Sequence, residues 1–161
     1  MKKCMFLLMF LLCYFISFSQ GEYKCKFEVN ETDKFTKALK IETSLEILHR
    51  DLNSTIAISF CKHNNEYFIR LSLNLTNQVY SILKGNNLMF ICGDSTITLM
   101  SNESKVVSGY TSIVYNITEN QLNLLKIKSI TDLRIYLLDS YIDKIIDPKK
   151  AEKIRLAGNC I

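Results

Sequence analysis

The stretch STIAISFCKHNNEYFIRLSLNLT, residues 54–76, decides the fold because it predicts a β-hairpin with a single register. Its two halves alternate apolar and polar residues, and Asn64-Asn65 between them suits a two-residue turn, since asparagine tolerates a positive φ. That turn aligns three apolar pairs on one face, namely Phe60 with Ile69, Ile58 with Leu71 and Ile56 with Leu73. The opposite face carries mainly small and polar side chains, so we expect this hairpin to be buried on one side only.

Two further hairpins follow the first along the chain. LMFICGDSTITLM, residues 88–100, predicts a turn at Gly93-Asp94, and LRIYLLDSYIDKII, residues 133–146, predicts one at Asp139-Ser140. The predicted inward face of the third hairpin, 133–146, comprises Leu133, Ile135, Leu137, Ile142 and Ile146. Lys144 is the one charged residue that this register places on the apolar side.

The remaining segments complete an α+β pattern. Alternation predicts strands over 23–29, 40–48 and 107–117, which brings the total to about nine. Thr118 and Gln121 form a capping box before one helix, while Asp147-Pro148 opens a second helix that Gly158 is predicted to close. The predicted fold is a single α+β domain over 20–161, mainly antiparallel β-hairpins with two short helices in the C-terminal third.

The first 19 residues predict a secretory signal peptide. Lys2 and Lys3 form a positive start, residues 4–16 are apolar without interruption, and Ser17-Phe18-Ser19 supplies small residues before a cut at Gln20. This apolar run is shorter than the roughly 20 residues that a membrane-spanning helix needs. We therefore expect an exported protein without a membrane span after cleavage, located in the periplasm, at the cell surface or outside the cell.

Composition argues against two classes of partner. Cleavage removes Lys2 and Lys3 from the 20 basic residues and leaves the 16 acidic ones, so the formal charge is +2. Nucleic-acid and anionic-membrane binding normally need a strongly basic surface. The sequence therefore predicts neither partner and leaves an unknown macromolecule, a protein or a glycan.

Four cysteines remain after cleavage, namely Cys25, Cys61, Cys92 and Cys160. Disulfides form in oxidising compartments, and four cysteines allow three pairings. Pairing Cys25 with Cys160 would fix both ends of the chain, which would leave Cys61 with Cys92. The alternative that some are small buried apolar residues stays open.

Five asparagines begin an N-x-S/T triplet, namely Asn30, Asn53, Asn74, Asn102 and Asn116. Five triplets exceed the roughly two that this composition gives by chance. In a eukaryotic secretory pathway they would be glycan acceptors. In a bacterium they would follow from strand faces rich in Asn, Ser and Thr, which is the interpretation we favour.

One hairpin tip combines residue types that carry chemistry. The predicted register places Cys61 and His63 on the same face, with Glu66 across the turn from His63. A thiolate, an imidazole and a carboxylate can bind zinc or act as a nucleophile with its base. A surface turn with a His and Glu pair is the competing interpretation. Apart from these three weak candidates, the sequence predicts no catalytic residue, cofactor or metal ion.

Two other patterns match functional motifs only superficially. His49-Arg50-Asp51 matches the kinase catalytic loop in three letters, but no glycine-rich loop or DFG accompanies it. Asp139, Asp143 and Asp147 are spaced by four, yet the predicted elements assign them to a turn, a strand and a helix cap. The sequence therefore predicts neither a kinase nor a calcium loop.

Three aromatic residues point away from the predicted core, namely Phe68, Tyr136 and Tyr141. Exposed aromatic rings can stack on sugars or on a partner protein. The alternative that we prefer is that the two helices pack over these faces.

The ending FSQ of the leader, the segment YKCKFEVNETDKFTKALKIET and the late ITENQLNLLKIKSITDLRIYLLDSYIDKII together resemble small exported proteins of Gram-negative bacteria to which no activity is assigned. The resemblance covers most of the mature chain. It implies a β-rich periplasmic or surface protein and carries no catalytic residue.

Two function classes follow. The scarcity of histidine favours a non-catalytic extracytoplasmic module that binds a protein, a glycan or an envelope component. The alternative is a small secreted enzyme or enzyme inhibitor that uses the hairpin tip of Cys61, His63 and Glu66.

Overall fold

The computed structural model describes residues 23–161, so the predicted signal peptide, 1–19, lies outside the described residues. Within that part of the chain, no helix has the length and apolar character that crossing a membrane requires.

Residues 23–161 form a β-rich α+β fold of antiparallel sheets and two helices. In chain order the elements are β1 Phe27–Thr32, β2 Leu39–Thr43, β3 Glu46–Arg50, β4 Ser54–His63, β5 Glu66–Ile82, β6 Asn87–Cys92, β7 Ser95–Met100, β8 Lys105–Ile117, α1 Glu119–Ile127, β9 Asp132–Tyr136, β10 Tyr141–Ile145 and α2 Pro148–Gly158. The predicted single strand over 40–48 is in fact two strands, β2 and β3. The N-terminal strand begins at Phe27, four residues later than predicted, and continues to Thr32.

The strands form two sheets. Sheet I has the order β1-β2-β4-β5-β8, and β3 also pairs with β4. Sheet II has the order β10-β9-β6-β7. A single bridge between Ser101 and Tyr115 links the end of β7 to β8. Segments that are distant in sequence therefore meet in sheet II, where β6 pairs with β9 although β7, β8 and α1 lie between them in the chain.

The β4–β5 hairpin has the predicted register. Phe60 pairs with Ile69, Ile58 with Leu71 and Ile56 with Leu73, and all six side chains are fully buried. Asn64 in the turn has φ of 56°, the left-handed conformation that its type tolerates. The apolar pattern and the turn residue thus determine one register together.

The second face of this hairpin is more buried than predicted. Ala57, Ser59 and Ser72 are all buried, although they lie on the face expected to meet solvent. Their larger neighbours cover them: Ser59 donates to Glu42 Oε1 at 3.1 Å, and Tyr110 donates its hydroxyl to Ser72 Oγ at 3.3 Å. The prediction of one buried face is therefore wrong at the centre of the sheet.

The other two hairpins confirm the predicted faces. Phe90 pairs with Ile97 around the turn at Gly93-Asp94. In the third hairpin Tyr136 pairs with Tyr141, so a connection of residues 137–140 replaces the predicted bend at Asp139-Ser140. A bend at Asp139-Ser140 would pair Leu138 with Tyr141, so the register differs by two residues. A shift of two keeps every side chain on its predicted face.

Both helices begin where predicted. Thr118 and Gln121 form a complete capping box at the start of α1. Asp147 caps α2 by accepting from Lys149 N and Lys150 N. Gly158 does not terminate α2, however, because it is the last helical residue and Asn159 follows it in right-handed conformation. A Cβ at Gly158 would lie 3.4 Å from Phe60 Cζ, at the limit of ordinary van der Waals contact, so α2 approaches β4 closely at this residue.

One contiguous core joins both sheets and both helices. Its members include Ile58 of β4, Phe90 of β6, Leu122 of α1 and Ile154 of α2, each at most 1% exposed. Each such side chain contributes roughly 1.5–3 kcal/mol when it is removed from water. The inward faces of sheets I and II and the buried faces of both helices therefore pack in one core.

A disulfide joins Cys25, just before β1, to Cys160, just after α2. This is one of the two predicted pairs. Cys61 and Cys92 form no disulfide among the described residues, so the second predicted pair is wrong. Cys92 is fully buried and matches the alternative of a small apolar core residue.

We expect the Cys25→Ser/Cys160→Ser double variant to lower the free energy of unfolding by about 2–4 kcal/mol, because the bond restricts the unfolded chain. Urea denaturation at pH 7 measures the change. Cys61→Ser is the matched control, since it removes a half-buried thiol without opening a loop and should cost less than about 1 kcal/mol. Equal stability of the two variants would contradict this assignment.

Candidate functional site

The side of sheet II that faces away from the core is the candidate site. We call it the outer face of sheet II. Because side chains alternate along each strand, its members lie between the inward residues Leu88, Phe90, Leu133 and Ile135. They are Asn87, Met89 and Ile91 of β6, Thr96, Thr98 and Met100 of β7, Asp132, Arg134 and Tyr136 of β9, and Tyr141, Asp143 and Ile145 of β10.

Arg134 is the centre of this face. Its Nε and Nη2 donate to the two carboxylate oxygens of Asp143, each at 2.6 Å. Its guanidinium carbon also lies 4.2 Å from the ring centroid of Tyr141 and 5.8 Å from that of Tyr136. A bidentate ion pair stacked on aromatic rings fixes an arginine side chain far better than a single surface contact.

The electrostatics of the pair follow from this geometry. The hydrogen bonds from Arg134 lower the pKa of Asp143 below its ordinary value, and the bond to Asp143 raises the pKa of Arg134. Both groups are therefore charged at neutral pH and neutralise each other.

Asp132 is a second carboxylate on the same face and has a different environment. Across the strands it lies between Ile145 and Ile91. Its side chain makes no hydrogen bond or ion pair with the described residues. With Arg134 and Asp143 neutralising each other, Asp132 gives the outer face one net negative charge.

A shallow groove of about 560 Å³ runs over this face. Its lining includes Met89, Ile91, Thr96, Asp132, Arg134 and Ile145. Ile145 is 81% exposed and Tyr141 56% exposed. The face thus combines tyrosine, arginine, methionine and isoleucine, and the first three are the types enriched at protein interfaces.

The predicted aromatic residues are only partly covered. Tyr136 and Tyr141 lie on the outer face as expected, with ring centroids 6.4 Å apart. The helices do not cover Tyr141, because α2 packs against β3, β4 and α1. The interpretation that helices cover these aromatics is therefore wrong for Tyr141. Phe68 lies elsewhere, on β5 opposite Cys61.

The hairpin tip does not assemble into a reactive site. His63 and Glu66 are paired across the turn, as predicted, and both are exposed. Among the described residues no ion pair or hydrogen bond joins either of them to Cys61. That part of the chain also contains no group of three His, Cys, Asp or Glu side chains placed to hold a metal ion.

Cys61 has different neighbours from those predicted. Burial raises the pKa of its thiol, and the charge of Glu42 adds to that shift. Glu42 is itself paired with Arg70, whose Nη2 lies 3.0 Å from Glu42 Oε2. A thiol with a raised pKa is a poor nucleophile and a poor metal ligand at neutral pH.

The remaining motif residues serve the fold. Asp51 Oδ2 lies 3.0 Å from His49 Nε2 and accepts from Lys144 Nζ at 2.9 Å, while its Oδ1 accepts from Ser54 N. Asp139 lies in a connection, Asp143 in β10 and Asp147 at a helix cap, so the predicted separation of the three is confirmed. The five asparagines of the N-x-S/T triplets are all exposed.

Sequence reasoning did not identify Arg134, Asp132 or the neighbours that β6 supplies. Alternation along β9 places both residues on one face with Tyr136. The alternation does not give the order of the strands in the sheet. Met89 and Ile91 lie beside these residues only because β6 pairs with β9.

No family model matches this chain, and no curated protein or solved structure shows significant similarity to it. The resemblance to exported proteins of Gram-negative bacteria therefore stays a prediction.

Asp51→Asn should flatten the acid limb of the stability curve. Hydrogen bonds, the one from Lys144 first, lower the folded-state pKa of Asp51. Its contribution is therefore present above the unfolded pKa, about 3.9, and is lost as pH falls through the folded value. Urea unfolding measured from pH 2 to 6 should show a smaller loss in the variant.

Asp139→Asn is the matched control, because Asp139 is an exposed carboxylate without a hydrogen bond among the described residues. It should retain the full acid-dependent loss. Identical acid limbs for both variants would refute a specific role for Asp51.

Thiol titration checks the assignment of the cysteines. Denatured, unreduced protein should react at two thiols, and the folded protein should react several-fold more slowly because Cys61 is half-buried with a raised pKa. His63→Ala should leave both results and the metal content unchanged. Bound zinc that disappears in His63→Ala would instead establish the hairpin-tip site.

Proposed function

We propose that this protein is an exported, non-catalytic binding module whose outer face of sheet II binds a partner protein. The observation that carries the proposal is the stacked cluster of Arg134, Tyr136 and Tyr141 beside an exposed Ile145. Binding energy at protein interfaces concentrates in such tyrosine and arginine residues, especially when apolar contacts surround them.

A protein partner fits this surface better than a glycan. Sugars recognised by stacking need an open aromatic face, whereas the Arg134 guanidinium lies over the Tyr141 ring at 4.2 Å. Exposed Ile145, Ile91 and Met100 add apolar area that a sugar cannot match. A glycan or an envelope component is an outcome that the experiment below can detect.

Export is part of the proposal. The Cys25–Cys160 disulfide favours an oxidising environment, since cytosolic thiols are kept reduced. The predicted leader over 1–19 leads to the same compartment. We propose that the protein is located in the periplasm, at the cell surface or outside the cell.

The geometry gives the alternative of a small secreted enzyme or inhibitor less support. Such an enzyme needs a nucleophile within reach of a base, and His63 is not bonded to Cys61. The raised pKa of Cys61 also opposes formation of its thiolate.

A photocrosslinking residue at Tyr141 tests the proposed surface. Introduced in the cells that make the protein, it should give one discrete adduct with a protein. The matched control is the same residue at Tyr110, which is 66% exposed on sheet I. We expect Arg134→Ala to reduce the Tyr141 adduct about tenfold, because interface arginines are frequent hot spots.

Three outcomes would contradict the proposal. Equal adducts from positions 141 and 110 would indicate non-specific capture. The absence of any adduct at Tyr141 would remove the surface, and an adduct that glycosidases degrade would replace the protein partner by a glycan.

A further inference from the structure

Among the described strands none pairs with the outer edge of β10, which borders the outer face of sheet II, and we infer that the partner adds a strand to this edge. The occupant would be an extended segment of another protein, antiparallel or parallel to Tyr141–Ile145, with a basic residue on the outer face, where Asp132 lies. This inference rests on the proposed function and adds the mode of binding.

The backbone of β10 is poised for such an addition. Leu137 N donates to Ser140 O and Ile146 N to Thr131 O, each at 2.9 Å. Every second residue of an antiparallel pair is hydrogen-bonded, so Ile142 and Lys144 bond to β9. The amide groups of Tyr141, Asp143 and Ile145 consequently point away from the sheet.

The edges of β1, β3 and β7 are less suited than that of β10. β1 has the polar sequence FEVNET and a register irregularity after Phe27, both of which discourage pairing. α2 packs against β3. The end of β7 lies beside β8 through the Ser101 and Tyr115 bridge.

Apolar side chains surround the edge of β10. Tyr141 and Ile145 lie on its outer face. The bond from Lys144 to Asp51 brings the β3–β4 turn beside β10, and Leu52 of that turn is 99% exposed. An added strand would cover exposed apolar surface while gaining main-chain hydrogen bonds, as in known strand-addition complexes.

Charge selects the occupant. The side chain of Asp132 has no partner among the described residues, and it lies beside the neutral pair of Arg134 and Asp143. Lys144, which also lines the groove, is paired with Asp51, so the uncompensated charge is that of Asp132, which favours a basic partner. A second copy of β10 fits poorly in the antiparallel register that pairs all five strand residues, because this register places Asp143 opposite itself. Centring on residue 144 does the same with Lys144, and like charges directly opposite destabilise a sheet.

The test uses the mature, disulfide-bonded chain and a capped peptide, Thr-Val-Thr-Lys-Thr-Val-Thr. The peptide should bind saturably and slow amide exchange at Tyr141, Asp143 and Ile145 by at least about tenfold. Replacing its Lys by Glu should weaken binding, since Asp132 would then repel it.

Two variants separate the backbone from the side chain. Ile145→Pro and Ile145→Ala both lose the exposed side chain, but only proline removes the outward N–H, which an edge strand tolerates. Peptide affinity should fall at least about tenfold further in Ile145→Pro than in Ile145→Ala. Equal affinities would overturn strand addition.

The remaining outcomes are equally decisive. Peptide binding without slower exchange at the three amides would mean docking on the face alone, which defeats strand addition but leaves the proposed function standing. Failure to bind at millimolar peptide would overturn the inference, as would a dimer in sedimentation that Ile145→Pro abolishes. The proposed function itself is contradicted only by the crosslinking outcomes at Tyr141 given above.

Discussion

The apolar pairing of β4 with β5 is the interaction on which the rest of the molecule depends. Phe60 and Ile69 are fully buried at the turn end of this hairpin. β2 and β3 both pair with β4, β8 pairs with β5, and Gly158 of α2 contacts the Phe60 ring. A shift of one residue would turn every apolar side chain of the hairpin to the wrong face. Sheet II and the helices would then have no common core.

Local physics accounts for the parts of the fold that could be predicted. Asn64 adopts the left-handed conformation of the turn, and the Thr118 side chain accepts a hydrogen bond from the backbone N–H of Gln121. Asp147 caps the helix that begins at Pro148. Each of these signals lies within a few residues of its effect. The third hairpin shows the limit of such reasoning. A two-residue bend at 139–140 and a four-residue connection over 137–140 put the same strand residues on the inward face, so the apolar pattern cannot distinguish them. Gly158 shows it again, since it is the last helical residue beside Phe60 and is followed by the right-handed Asn159, an arrangement that no local signal distinguishes from a terminating glycine.

The candidate site could be predicted in its parts but not in its assembly. Alternation along the third hairpin identified Tyr136 and Tyr141 as outward residues. Their arrangement around Arg134 depends on the β9–β10 register. Ile91 joins them only because β9 pairs with β6, where Ile91 lies 40 residues before Thr131 in the sequence. Cys61, His63 and Glu66 illustrate the reverse: they share a face in sequence and structure, yet Glu42 and Arg70 determine the chemistry of the thiol.

Lys144 connects the stability of sheet II with its availability for binding. An inward-pointing lysine on an edge strand is a common device against unwanted pairing, because its charge resists burial. Here Asp51, 93 residues away in sequence, neutralises that charge through a bond of 2.9 Å. The same bond anchors β10 against the β3–β4 turn, and Leu138 N donates to Ser81 O at 2.8 Å to fix the preceding connection. β10 is therefore held in place on its inner side, while no strand of the described chain pairs with its outer edge. A fixed strand loses little conformational entropy when another strand pairs with it, so the contacts that stabilise β10 also favour its use in binding.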